Sequence, residues 1–182
     1  MASIFGHAAT ALTATALIKR KVNRTKLNIL AIFCASIPDA DVLMFRFGFS
    51  YSHWLGHRGF FHSIFFALFL AILIKVIFYN KYKWSGRDCW LVIGFFSLMT
   101  ISHGVLDAMT TGGRGIAFFS PFDNTRHFLP WRVIQVSPLG AGRFFSEWGI
   151  AVLKSEFIFI GIPCLLILAV NKVVNLIKPP VA

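Results

Sequence analysis

Residues Ser63 to Phe78 read SIFFALFLAILIKVIF, sixteen positions with a single charge, Lys75. Extended by Phe60-Phe61-His62 and Tyr79, the run reaches about 20 residues, the length an α-helix needs to cross a hydrocarbon core. Similar apolar stretches lie on both sides of it. Ile4 to Ile18 is short and rich in Ala and Thr. Leu27 to Phe47 is interrupted by Pro38-Asp39-Ala40-Asp41. Cys89 to Leu106 and Phe157 to Val170 complete the set. The expected fold is all-α, a polytopic transmembrane bundle of about four or five helices.

Composition agrees with that reading. Hydrophobic residues make up 57% of the 182 positions and charged residues 14%, against roughly 25% charged in soluble domains. Mean hydropathy is +0.71. Residues 1–182 read as one membrane-embedded domain. Within it, 107–148 is the longest non-apolar region, with Pro121, Pro130 and Pro138, and is expected to be an irregular outer loop with short interfacial helices. The net charge of +11 does not point to nucleic acid, because Lys and Arg sit at the ends of apolar runs, where they anchor helices against lipid headgroups. Cys34, Cys89 and Cys164 are far apart and form no CxxC pair, so they read as small buried hydrophobes. The first residues lack the basic start of a cleavable signal, so the first apolar segment is expected to remain.

If all five segments span, one side collects Lys19, Arg20, Lys21, Arg24, Lys26, Lys75, Lys81, Lys83, Arg87, Lys172 and Lys178, with Asp88 as its only acid. The positive-inside rule puts that side in the cytoplasm. The opposite, outer side then receives all six histidines and six of the seven acids. Ionisable groups at membrane depth are costly and usually face a partner, so this convergence suggests a site.

His103 and Asp107 are one helical turn apart and share a stripe. Asp107 would either ligate a metal with His103 or orient it. Asp39 and Asp41 would point to opposite sides of a regular helix, but Pro38 lacks an amide hydrogen and allows a break that turns both into one cavity. Asp39 is then a ligand, and Asp41 a second ligand or a support. Gly56-His57-Arg58-Gly59-Phe60-Phe61-His62-Ser63 places two histidines and an arginine at the entrance of the strongest helix. Arg58 is suited to clamping a phosphate or carboxylate. The expected metal set is His7, Asp39, Asp41, His62, His103 and Asp107, with His57 and Arg58 in catalytic roles. His53 and His127 read as loop residues, Asp123 and Arg126 as a pair, and Glu147 and Glu156 as interfacial caps. A His/Asp set without Cys suits zinc first and manganese next, and hydrolysis by activated water is its natural chemistry. The nucleophile-elbow, Walker and dinucleotide motifs do not occur. The rival reading is a non-catalytic transport or scaffold protein with a structural metal site. The almost wholly apolar stretches Ile64–Ile74 and Leu91–Phe96 argue against a polar pathway across the membrane.

His7, Ser36-Ile37-Pro38-Asp39-Ala40-Asp41, Gly56-His57-Arg58-Gly59 through His62-Ser63, and Ser102-His103 with Leu106-Asp107 resemble the YdjM-like family of membrane-bound metal-dependent hydrolases of bacteria and archaea. The resemblance covers nearly all of residues 1–110. The family commonly has Thr where this chain has Phe61. The resemblance implies a multi-pass inner-membrane hydrolase with a divalent metal, of a group linked to LexA-regulated damage responses. The order His, Asp, His, then HxxxD is also similar to zinc-dependent phospholipase C. That analogy favours a phosphoester substrate, and a site at the membrane surface favours a lipid-linked one. Membrane lipids are the expected partners.

Overall fold

A computed structural model describes residues 1–138 and 141–177. Its helices are α1 (Ile4–Ala16), α2 (Arg24–Ser36), α3 (Ile64–Phe78), α4 (Arg87–Ala108), the short α5 (Ala141–Phe144), α6 (Glu147–Glu156) and α7 (Ile162–Ile177). A 3₁₀ segment, Ile37–Phe47, prolongs α2, and a π segment, Phe157–Gly161, joins α6 to α7. Among the described residues there is no strand, only two isolated bridges, Thr110 with Ile134 and Ile116 with His127.

Three continuous helical stretches are long and apolar enough to cross a membrane: Arg24–Phe47, Arg87–Ala108 and Glu147–Ile177. α3 has 15 residues and α1 has 13. At 1.5 Å per residue α1 is about 20 Å long, short of a hydrocarbon core of roughly 30 Å. α1 nevertheless packs along α2 and touches α4, which holds His7 in the bundle. The last helix starts ten residues earlier than the expected Phe157. Hydropathy stops at Lys154 and Glu156, but Glu156 is buried and accepts hydrogen bonds from the Ser3 amide and, at 2.5 Å, the Ser3 hydroxyl. Its charge is thus met inside the protein, so it is a tether for the N-terminal segment and not an interfacial cap.

Lipid is as apolar as leucine, so helices in a membrane associate through close packing and not through water exclusion. The core shows this. Ala11, Ala31, Cys34, Ala35, Ala67 and Ala71 are fully buried where α1 to α4 meet, with Leu30, Phe96 and Met99 filling between them. Phe69, Ile77, Leu98, Leu165 and Leu166 point outward, the inverse of a soluble protein's pattern. Ser63 caps α3 by accepting from the Phe66 amide at 3.1 Å, which explains a serine directly after His62. Pro38 opens the 3₁₀ segment, as its missing N–H predicts.

Candidate metal centre

One end of the bundle gathers the polar side chains. His62 precedes α3, His103 and Asp107 lie in the last turns of α4, and Asp39 and Asp41 lie in the 3₁₀ segment. His103 Nε2 and His62 Nε2 are 3.1 Å apart. Asp39 Oδ1 lies 3.3 Å from His103 Nε2 and 3.6 Å from His62 Nε2, and Asp107 Oδ2 lies 3.8 Å from His62 Nε2. One donor atom from each of these four residues falls within 4.8 Å of the others. A tetrahedral ion with bonds of about 2.0–2.1 Å spaces its ligand atoms about 3.3–3.4 Å apart, close to the separations found.

The partners of these atoms strengthen the fit. His103 Nδ1 contacts the Ala35 carbonyl at 2.8 Å. A carbonyl only accepts, so Nδ1 carries the proton and Nε2 presents a lone pair. His62 Nδ1 lies 3.0 Å from Asp41 Oδ2 without a hydrogen bond to it, and the negative charge of that carboxylate favours a proton on Nδ1. Two lone pairs facing each other at 3.1 Å repel unless a proton or cation lies between them. Asp39 Oδ1 and Asp107 Oδ2 are buried and accept no hydrogen bond. Asp107 Oδ2 has charge partners in the Arg58 guanidinium at 3.3 Å and the Met1 ammonium at 3.8 Å, whereas among the described residues no lysine, arginine or ammonium pairs with Asp39, a costly state without a cation.

Asp41 faces the other way. Its Oδ1 lies 2.5 Å from His57 Nδ1, and its Oδ2 accepts from the Arg58 amide at 2.9 Å. It forms a second cluster with His57 and His62, in which it can orient His62 or join a second ion. The 3₁₀ segment puts the two aspartates at opposite nitrogens of His62, Asp39 toward Nε2 and Asp41 toward Nδ1. If Asp41 orients His62, Asp41→Asn will weaken metal affinity by about 10–100-fold while leaving ion stoichiometry at saturation unchanged. Titration of the apo-protein with zinc measures this, and unchanged affinity would remove Asp41 from the site.

The remaining expected residues take more particular places. His7 is buried and stacks on His103 with ring centroids 3.9 Å apart, and its Nε2 is 3.5 Å from Asp107 Oδ1. It stands beside the four-donor group and not among it. Both its ring nitrogens lack hydrogen-bond partners. Arg58, expected to bind the anionic part of substrate, has a fully buried guanidinium and borders a cavity with Tyr51 and His57. It donates to the Gly112 carbonyl at 2.9 Å and Thr110 Oγ1 at 3.0 Å, and lies 3.3 Å from Asp107 Oδ2. Its backbone is left-handed, φ 65°, a conformation held only where the surroundings impose it. Gly59 is needed nearby because a Cβ there would strike the Trp54 carbonyl. Asp123 and Arg126 do not pair: Asp123 accepts from the Thr125 amide, and Arg126 donates to the His57 and Tyr51 carbonyls at 2.9 and 2.7 Å. Thr110, Arg126 and Tyr51 were not singled out in the sequence. Thr110, three residues after Asp107, was the one with a readable signal. His127 lies exposed in the loop, and His53 accepts from the Leu55 amide.

A helical membrane bundle with a buried His/Asp centre at one end is the class these features define. The profile described as YdjM inner membrane protein matches residues 1–177, and the chain belongs to that family. It is 36% identical over 168 residues to inner membrane protein YbcI of Escherichia coli strain K12, covering 92% of this chain and 95% of that protein. No solved structure matches.

Proposed function

We propose that this inner-membrane protein is a divalent-metal-dependent hydrolase acting on a phosphoester or lipid-linked substrate at the extracytoplasmic face. The observation that carries the reading is the four-donor group of Asp39, His62, His103 and Asp107, one donor atom of each lying within 4.8 Å of the others, with two buried carboxylate oxygens that accept no hydrogen bond. Two nitrogens and two oxygens suit zinc, and manganese next. Such an ion supplies an electrophile that acidifies water and polarises a phosphoryl oxygen.

His57 lines a cavity of about 280 Å³ together with Tyr51, Arg58, Arg143 and Trp148. With Nδ1 committed to Asp41, its Nε2 is the nitrogen left to serve as the base. It takes the proton of the attacking water as the new P–O bond forms, and returns it to the alcohol oxygen as the old P–O bond breaks. Burial pushes the Tyr51 phenol above its ordinary pKa, so it stays a donor. Arg143, exposed at the cavity, supplies positive charge for an anionic substrate. Arg58 acts through Asp107, holding that carboxylate in place.

The test is turnover by metal-loaded protein of a lipid phosphomonoester and a lipid phosphodiester in mixed micelles. His57→Gln retains a donor toward Asp41 and removes the base, so kcat is expected to fall by about 10²–10⁴ with metal content unchanged. Absence of turnover on both classes would end the hydrolase reading. Equal turnover in His57→Gln would remove His57 from the chemistry.

A further inference from the structure

The other end of the bundle is built quite differently. α3 runs about 22 Å from the metal centre to this end, by its 15 residues and 1.5 Å rise. Here Lys21, Lys26 and Lys81 line a cavity of about 420 Å³ with Asn23, Tyr79 and Tyr82. Among the described residues no carboxylate pairs with these lysines. The one acid on this side, Asp88, is taken by Arg20 at 2.5 Å. Lys26 is partly committed, donating to the Phe78 carbonyl and standing 4.5 Å from the Tyr79 ring centroid. Lys21 and Lys81 are exposed.

Val22, Tyr79 and Tyr82 also form the wall of a second cavity, of about 230 Å³. Beyond them it is mostly apolar, enclosed by Ile18, Leu27, Leu91, Val92 and Phe95, and the paired Arg20 and Asp88 also line it. A cationic pocket thus shares a wall with an oily cleft. Trp84 and Trp90 are exposed at this end, marking the headgroup level where tryptophan collects. The two halves call for a ligand that is anionic at one end and a hydrocarbon chain at the other.

We propose that this end holds one anionic phospholipid of the adjacent leaflet, its phosphate among Lys21, Lys26 and Lys81 and an acyl chain in the cleft beneath Tyr79 and Tyr82. Basic pockets between helices recognise such headgroups, at about 1 kcal/mol per lysine. That is about fivefold in affinity for each lysine and roughly thirtyfold for two.

The test uses the full chain in phosphatidylcholine micelles, titrated with phosphatidylglycerol and followed by thermal unfolding and native mass spectrometry. Phosphatidylglycerol is expected to raise the unfolding midpoint and remain bound to the wild type. Lys21→Gln/Lys81→Gln should bind it roughly thirtyfold more weakly, while Lys21→Arg/Lys81→Arg retains it. Val92→Trp, which fills the cleft, should lose it too, and each variant's midpoint in phosphatidylcholine alone reports its fold. Persistence of the effect in the Gln pair or in Val92→Trp overturns the proposal. So does an equal effect from soluble glycerol phosphate, which would mean a headgroup site without a lipid.

Discussion

Purified in detergent, the protein is expected to carry stoichiometric zinc or manganese, and His103→Ala and Asp39→Ala are each expected to lose it. His103 comes from α4 and Asp39 from the 3₁₀ segment after Pro38, so loss in both requires a single site assembled from separate elements. Removing a supporting residue already costs about 10–100-fold in affinity, and removing a ligand itself should cost more, enough to strip the ion during purification. The double variant should be no worse than either single one, because groups serving one ion are not additive. Helical content should survive, since in the bilayer the backbone hydrogen bonds lie within each helix. Metal-free wild type, or ion retained in both variants, would sink the idea.

Arg58→Ala is expected to be the most destabilising single substitution at the centre. The guanidinium is fully buried and its removal abandons Asp107 Oδ2, the Gly112 carbonyl and Thr110 Oγ1 together. Breaking a buried ion pair typically costs about 3–5 kcal/mol. At about 2–4 °C per kcal/mol for a chain of this size, the apparent Tm should fall by roughly 6–20 °C. Arg58→Lys should fall between, because a single ammonium cannot reproduce the planar fork. Added zinc should narrow the gap in Arg58→Ala, because a bound cation replaces the lost counter-charge to Asp107. A variant as stable as wild type without metal would show that Asp107 does not depend on Arg58.

The wiring explains why these residues are hard to assign individually. His62 meets Asp39, Asp107 and His103 through Nε2, and Asp41 through Nδ1. A substitution at any one of them changes the charge felt by the others. Metal stoichiometry, not activity alone, therefore separates ligand from support.

Much of this was legible in the residues themselves. Apolar run length announced the helices, because a spanning segment has to satisfy its backbone internally and face lipid with its side chains. Pro38 announced the helix break that brings Asp39 and Asp41 to His62. The segregation of all histidines from most lysines announced that one end differs chemically from the other. The Gly56–Ser63 segment announced itself by putting two histidines and an arginine before the strongest helix.

The tertiary structure decided the rest. Spacing along a helix tells which side chains share its face, but not how separate helices are rotated and raised against each other. That rotation puts His7 against the His103 ring, beside the four-donor group. It turns Arg58 inward onto Asp107 and places Asp41 between His57 and His62. It also buries Glu156 beneath Ser3, where hydropathy alone placed it at the membrane surface. The composition of the centre was written in the chain, whereas the partner of each polar atom depended on contacts between residues up to 153 positions apart, which no local pattern encodes.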